Sequence, residues 1–188
     1  QVPAPGWDAR YDWDGFLDAA LTPREVDPAR GWIATANQRI HPPEYPHYIT
    51  NEWAVPYRQQ RIEQLLAAKA RHNMESLRDI QSDVLSLATQ RLLPYLRRAQ
   101  STHALAPAAQ QQLARFDGTM RADSAAPLIF SAWARQLTLA VFGDDVGGVM
   151  FERTLENRSF RDALEGVLER DDERWCDQDR RDAQSPLG

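Results

Sequence analysis

Proline divides this chain into unlike parts. Eight of its twelve prolines, and four of its six tryptophans, lie in residues 1–57 of 188. Each proline fixes φ, removes a backbone donor and restricts the residue before it, so long helices and central strands are barred there. Residues 1–57 therefore read as extended segments and turns. Residues 58–170 are rich in Ala, Leu, Gln, Arg and Glu and carry apolar residues at helical spacing, so they read as helices. Residues 171–188 form a charged tail without periodicity. The expected class is α+β, mostly helical with a few strands.

Composition excludes several functions. Hydrophobic residues make up 43% and charged ones 26%, which suits a folded chain rather than a disordered one. Basic residues number 22, with Lys69 the single lysine, against 27 acids, so no basic excess exists to bind nucleic acid. No run approaches the roughly 20 apolar residues of a membrane helix, and no membrane contact is expected. Gln1-Val2-Pro3-Ala4-Pro5 lacks the basic start and apolar stretch of a signal peptide. Cys176 stands alone, which rules out an internal disulfide or a cysteine-based zinc site within these residues.

The clearest strand is Gly31-Trp32-Ile33-Ala34-Thr35-Ala36-Asn37, after the turn Asp27-Pro28-Ala29-Arg30. Period two puts Ile33, Thr35 and Asn37 on one face and Trp32, Ala34 and Ala36 on the other. His41-Pro42-Pro43-Glu44-Tyr45-Pro46 must be a loop. Helices should start near Tyr57 or Arg58, with Ile62, Leu65, Leu66 and Lys69 at helical spacing. Asn73 should cap the next helix. Leu77, Ile80, Val84, Leu87, Leu92 and Leu96 make an apolar stripe, whose end Pro94 should kink or shorten. Pro107 suits the first turn of a further helix. Ser124 should cap a helix holding Leu128, Ala132, Leu137 and Val141, and Gly143 should stop it. Ser159 should cap the last, with Phe160, Ala163, Leu164, Val167 and Leu168 inward. These stripes are most simply core.

Few patterns carry chemistry on their own. His41, Glu44 and His47 are ligand types at close spacing, but a proline-rich loop offers no fixed geometry for a metal. Asp144-Asp145 before Gly147-Gly148 reads as a helix end with little room for a calcium loop. A glycine-rich phosphate loop and a Gly-x-Ser-x-Gly elbow are both absent from the sequence. The residues by themselves show no complete active site.

A run of short motifs has a stronger message. Gly31 to Arg39, Tyr45-Pro46, Trp53-Ala54-Val55-Pro56-Tyr57-Arg58 and Arg61-Ile62 closely resemble the penicillin acylase family of N-terminal-nucleophile amide hydrolases. The likeness continues through Ile80 to Val84, Leu92-Leu93-Pro94, Phe116-Asp117-Gly118-Thr119-Met120, Asp123-Ser124-Ala125 and Trp175-Cys176-Asp177. It falls in the internal part of the family's β chain and breaks off shortly after Cys176.

The resemblance implies an αββα fold and cleavage of the amide bond of an N-acylated small molecule, a β-lactam side chain or similar. The family uses the N-terminal Ser of the β chain as nucleophile and that residue's α-amino group as base. The oxyanion of the tetrahedral intermediate needs placed donors. One is the side-chain amide of the Asn that here is Asn37; on spacing alone Asn37 merely ends a strand and starts a turn. Arg58 matches an Arg placed near the active site, where its rigid fork can orient the surroundings. Without the resemblance Arg58 is a surface residue at a helix start, which the helix dipole slightly disfavours. Arg61, one turn on, is easily confused with it.

The resemblance further implies that the remainder of the β chain and the α chain are partners, and that the setting is periplasmic or secreted. Gln1 cannot serve as nucleophile, so these residues alone are expected to be inactive. No cofactor is required, although some members bind calcium, in part through a carboxylate after the Tyr-Pro step; here that stretch reads Tyr45 to Glu52. The second cysteine that relatives often carry just beyond Cys176 is lacking. Other readings compatible with these residues are an acyl-homoserine lactone or lipopeptide acylase of the same superfamily, or a non-catalytic helical interaction module.

Overall fold

Helix α1 spans Tyr57–Ala67, α2 Met74–Gln81, α3 Leu87–Arg98, α4 Ala106–Leu113, α5 Ala126–Val146, α6 Gly148–Thr154 and α7 Arg158–Arg170. The computed structural model describes residues 3–154 and 158–175. Before α1 the described chain is extended, broken by single helical turns at Ala9–Tyr11 and Ala19–Leu21. The proline-rich part is thus non-helical, as its composition requires.

Caps explain where the helices start. Asn73 Oδ1 accepts from Ser76 N at 2.9 Å, and Ser76 Oγ accepts from Asn73 N at 2.9 Å. This reciprocal capping box starts α2 where expected. The apolar stripe from Leu77 to Leu96 is not one continuous face. Ser86 Oγ accepts from Thr89 N at 3.1 Å and starts a new helix, α3, so Val84 falls in the connection and is 48% exposed. Pro94 does not shorten α3, which continues to Arg98 with Leu92 and Leu93 buried. Burial of that face outweighs one lost backbone hydrogen bond. Pro107 lies in the first turn of α4, as expected.

Two expected helix ends move. Ser124 Oγ accepts from Ala126 N at 3.4 Å, but the cap position belongs to Ala125, and Pro127 sits in the first turn of α5. Gly143 does not stop α5. The helix runs through Asp144 and Asp145 to Val146, and Gly147 ends it with φ 77°, its N donating to Gly143 O at 3.0 Å. The positive φ that ends the helix is one glycine adopts without strain, and Gly147, not Gly143, has it. Leu128 and Ala132 lie outward; α5 buries Phe130, Thr138, Val141 and Phe142 instead. Helix α7 starts at Arg158, so Ser159 lies inside it; the side chains of Ser159 and Phe160 lie outside the described ones. Leu164 and Val167 point inward, whereas Ala163 is exposed.

The core joins Leu92, Leu93, Leu113, Phe116, Phe130, Val141, Phe142, Leu164 and Val167, with α5 in contact with α3, α4, α6 and α7. Phe116 and Phe130 stack at 6.1 Å between ring centres. Gly118, at φ 98°, passes so close to α3 that a Cβ would lie 3.1 Å from Ser86 O. That approach lets Ser86 N donate to Gly118 O at 3.0 Å and Met120 N to Val84 O at 2.9 Å. Trp175 closes the far end, its ring 5.3 Å from that of Phe142. Cys176 and the rest of the tail lie outside the described residues.

The expected strand at Gly31–Asn37 does not form. Among the described residues the β pairing is a single bridge, Leu85 with Thr119. The segment is extended, and its exposure alternates as period two requires, with Ala36 buried and Ile33, Thr35 and Asn37 outward. A ladder needs a neighbouring strand to take the backbone groups, and here side chains of α1 take them instead. The described architecture is therefore helical, with one extended segment laid against α1.

Candidate active site

Asn37 and Arg58 meet. Arg58 Nη2 donates to Asn37 Oδ1 at 3.1 Å and to Ala36 O at 2.8 Å. Asn37 has φ 64°, a left-handed conformation that Asn tolerates better than most residues, so it does end the extended segment in a turn. Its carbonyl accepts from Ala54 N at 2.8 Å, which brings the Trp53 to Pro56 approach to α1 alongside. With Arg58 on Oδ1, the amide is oriented: Nδ2 keeps both protons for another acceptor and has no partner among the described residues. Two acceptors also explain why an arginine is tolerated in the first turn of α1, despite the dipole.

Arg58 and Arg61 are told apart by their partners. Arg61 forms a two-pronged pair with Asp83, its Nη2 at 2.7 Å from Oδ1 and its Nε at 2.9 Å. These donors hold the Asp83 carboxyl below the usual carboxylate range, against the opposing effect of its burial. Tyr57 donates its hydroxyl to the buried Glu165 of α7. Burial first, and that carboxylate second, push the Tyr57 phenol well above its ordinary value, so it stays protonated. Helix α1 is thus fixed to α7 at Tyr57 and to the α2–α3 connection at Arg61, and its first turn presents Arg58 from a held position.

Sequence reasoning passed over Gln59. It is 6% exposed, and its Nε2 donates to Ala34 O at 2.8 Å and to Glu63 Oε1 at 2.9 Å. The available signal was a polar residue on the inward side of an amphipathic helix, beside an arginine of interest.

The remaining sequence candidates hold other positions. His41 and His47 flank the Tyr45 ring at 4.9 and 5.5 Å, and Trp53 lies 5.5 Å from His41. Among the described residues no three His, Cys, Asp or Glu side chains gather as a metal site. A groove of about 340 Å³ separates α1 from α2, and another of about 510 Å³ runs along α3 beside Glu169. Asn37 and Arg58 line neither. No helix among the described residues is long and apolar enough to cross a membrane.

The sequence matches the penicillin amidase family over residues 1–186. The chain belongs to that family. The match ends at residue 186, a short way past Cys176. Among similar proteins is an acyl-homoserine lactone acylase, QuiP, of Pseudomonas aeruginosa, 34% identical over 95% of this chain and 23% of its own length. The QuiP of Pseudomonas putida is 34% identical over 94% of this chain and 24% of its own length. The penicillin acylase 2 proenzyme of Pseudomonas sp. SE83 is 33% identical over 74% of this chain and 18% of its own length. The chain therefore spans 18–24% of the length of these penicillin amidase relatives. Asn37 and Arg58, the two residues that the resemblance singles out, lie at hydrogen-bond distance from each other.

Proposed function

We propose that these residues supply an oxyanion donor to an acylase that hydrolyses the amide bond of an N-acylated small molecule. The observation that carries the reading is the Arg58 hydrogen bond to Asn37 Oδ1, which leaves the Nδ2 protons to donate. In the reaction the nucleophile's hydroxyl oxygen attacks the amide carbonyl carbon, and its proton passes to the α-amino base. The carbonyl oxygen becomes an oxyanion, to which Asn37 Nδ2 donates. Collapse breaks the C–N bond, the proton moves to the leaving amine, and water then hydrolyses the acyl-enzyme. A carboxamide suits the role because it donates without a charge of its own, and fixing it beforehand avoids reorganisation during the step. The nucleophile, the acyl pocket and the αββα sheet belong, in this reading, to further parts of the protein, exported to the periplasm or beyond.

An acyl-homoserine lactone is the substrate class favoured by the two QuiP relatives, which match 95% and 94% of this chain. A β-lactam side-chain amide is the second reading, favoured by the penicillin acylase relative. Asn37→Ala in the complete acylase should lower kcat by about 10²–10³, the usual cost of one lost oxyanion donor. Near-normal kcat in that variant removes Asn37 from the site. Turnover of an acyl-chain panel on both amine types separates the two substrate classes.

A further inference from the structure

We infer that Gln59 is a positioning residue that sets where Asn37 presents its amide, an inference that rests on the oxyanion reading of Asn37. In extended backbone the carbonyls of alternate residues point the same way, so Ala34 and Ala36 offer theirs along one edge. Helix α1 meets that edge with two successive side chains. Gln59 Nε2 donates to Ala34 O at 2.8 Å, and Arg58 Nη2 donates to Ala36 O at 2.8 Å. Together they stand in for the missing neighbouring strand and fix the register of the segment against the helix.

The two anchors differ in kind. Arg58 is exposed and long, so it can follow a shifted Asn37. Gln59 is 6% exposed, and Glu63 holds its amide from the next turn at 2.9 Å. Both partners of Nε2 are acceptors, so the orientation of the amide is forced. Its Oε1 is buried without a hydrogen-bond partner among the described residues. An apolar side chain of equal length would avoid that desolvation cost. What an apolar side chain could not do is hold Ala34, three residues before the left-handed turn at Asn37. A slip there moves the donor away from the place where the oxyanion forms, and small misplacements of a catalytic group cost rate rather than binding.

Gln59→Met keeps length and volume but cannot donate. In the complete acylase it should lower kcat about tenfold and leave KM within about twofold. In an Asn37→Ala background the same change should cost nothing further, because the group it positions is already gone. A merely structural role would reduce both backgrounds alike. Unchanged kcat in Gln59→Met, or a full tenfold loss on top of Asn37→Ala, overturns the inference while leaving the oxyanion reading in place. Near-normal kcat in Asn37→Ala overturns both. If Gln59→Met yields no soluble enzyme, Glu63→Gln decides: it weakens the hold on the Gln59 amide and should lower kcat about threefold, an effect that vanishes with Asn37→Ala. No change in kcat for Glu63→Gln then overturns it.

Discussion

Residues 3–56 and residues 57–170 are built on different principles. The helical part buries aromatic and aliphatic side chains from α3, α4, α5 and α7 in one cluster. In the described part before α1, Ala36 is the one buried hydrophobic residue, while Trp7, Trp13 and Phe16 are at least 90% exposed. The helices hold themselves together by burial. The extended segment near Asn37 is held by donors that reach out from α1 to its carbonyls. Position is therefore passed from the helices to the candidate oxyanion donor, and the core far from Asn37 still matters for it.

The sharpest way to break this contrast is a cavity in the helical part. Phe130 is 6% exposed and lies between Phe116 and Trp133, at 6.1 and 6.0 Å between ring centres. Phe130→Ala should destabilise the protein by about 3–5 kcal/mol, since transfer and cavity costs add. Urea unfolding followed by circular dichroism measures it. A loss under about 1 kcal/mol would show that stability resides elsewhere than in this aromatic cluster.

The same contrast explains what could be read from the sequence. Proline placement marked the boundary at Tyr57, Asn73 marked its cap, and alternation marked the exposed and buried faces of residues 31–37. These are local signals, carried by one residue or by its neighbours. The failures lie where distant groups decide. Whether residues 31–37 become a strand depends on a partner strand, which no local pattern specifies. Gly143 and Gly147 are equally good stops on paper, and packing of Val141, Phe142 and Val146 carries the helix to the second. The stripe from Leu77 to Leu96 hid the break at Ser86, because an apolar pattern continues across a cap. Asn37 and Arg58 were found through the family motif, whereas Gln59 was missed because a buried glutamine is recognised only once its acceptors are in view.

The helical part, from which α1 reaches the extended segment, can be weakened without a cavity. Arg61 and Asp83 tie α1 to the α2–α3 connection through side chains that are 27% and 12% exposed. Asp83→Asn should cost about 1–2 kcal/mol, because the charge-assisted pair and its geometry go together. Its pH dependence has a definite sign. Arg61 lowers the folded-state pKa of Asp83, so the pair's contribution is present above the unfolded value of about 3.9 and is lost as pH falls through the lower, folded value. Urea midpoints of the original chain and Asp83→Asn should therefore differ most near neutrality and converge in acid. A gap that persists unchanged in strong acid would assign the effect to packing rather than to the charge.

The smallest effect tests the other side of the contrast. Trp13 is 94% exposed, and no aromatic ring of the described chain stacks on it. Trp133, the same residue type in α5, is half-buried against Phe130. Trp13→Ala should thus shift unfolding stability of these 188 residues by no more than about 0.5 kcal/mol, despite deleting a large apolar side chain. Hydrophobic side chains stabilise a fold only through the area they remove from water, and Trp13 removes almost none here. A loss of 2 kcal/mol or more would mean that residues 3–56 carry a packed core of their own, and that Asn37 is positioned by that core as well as by α1.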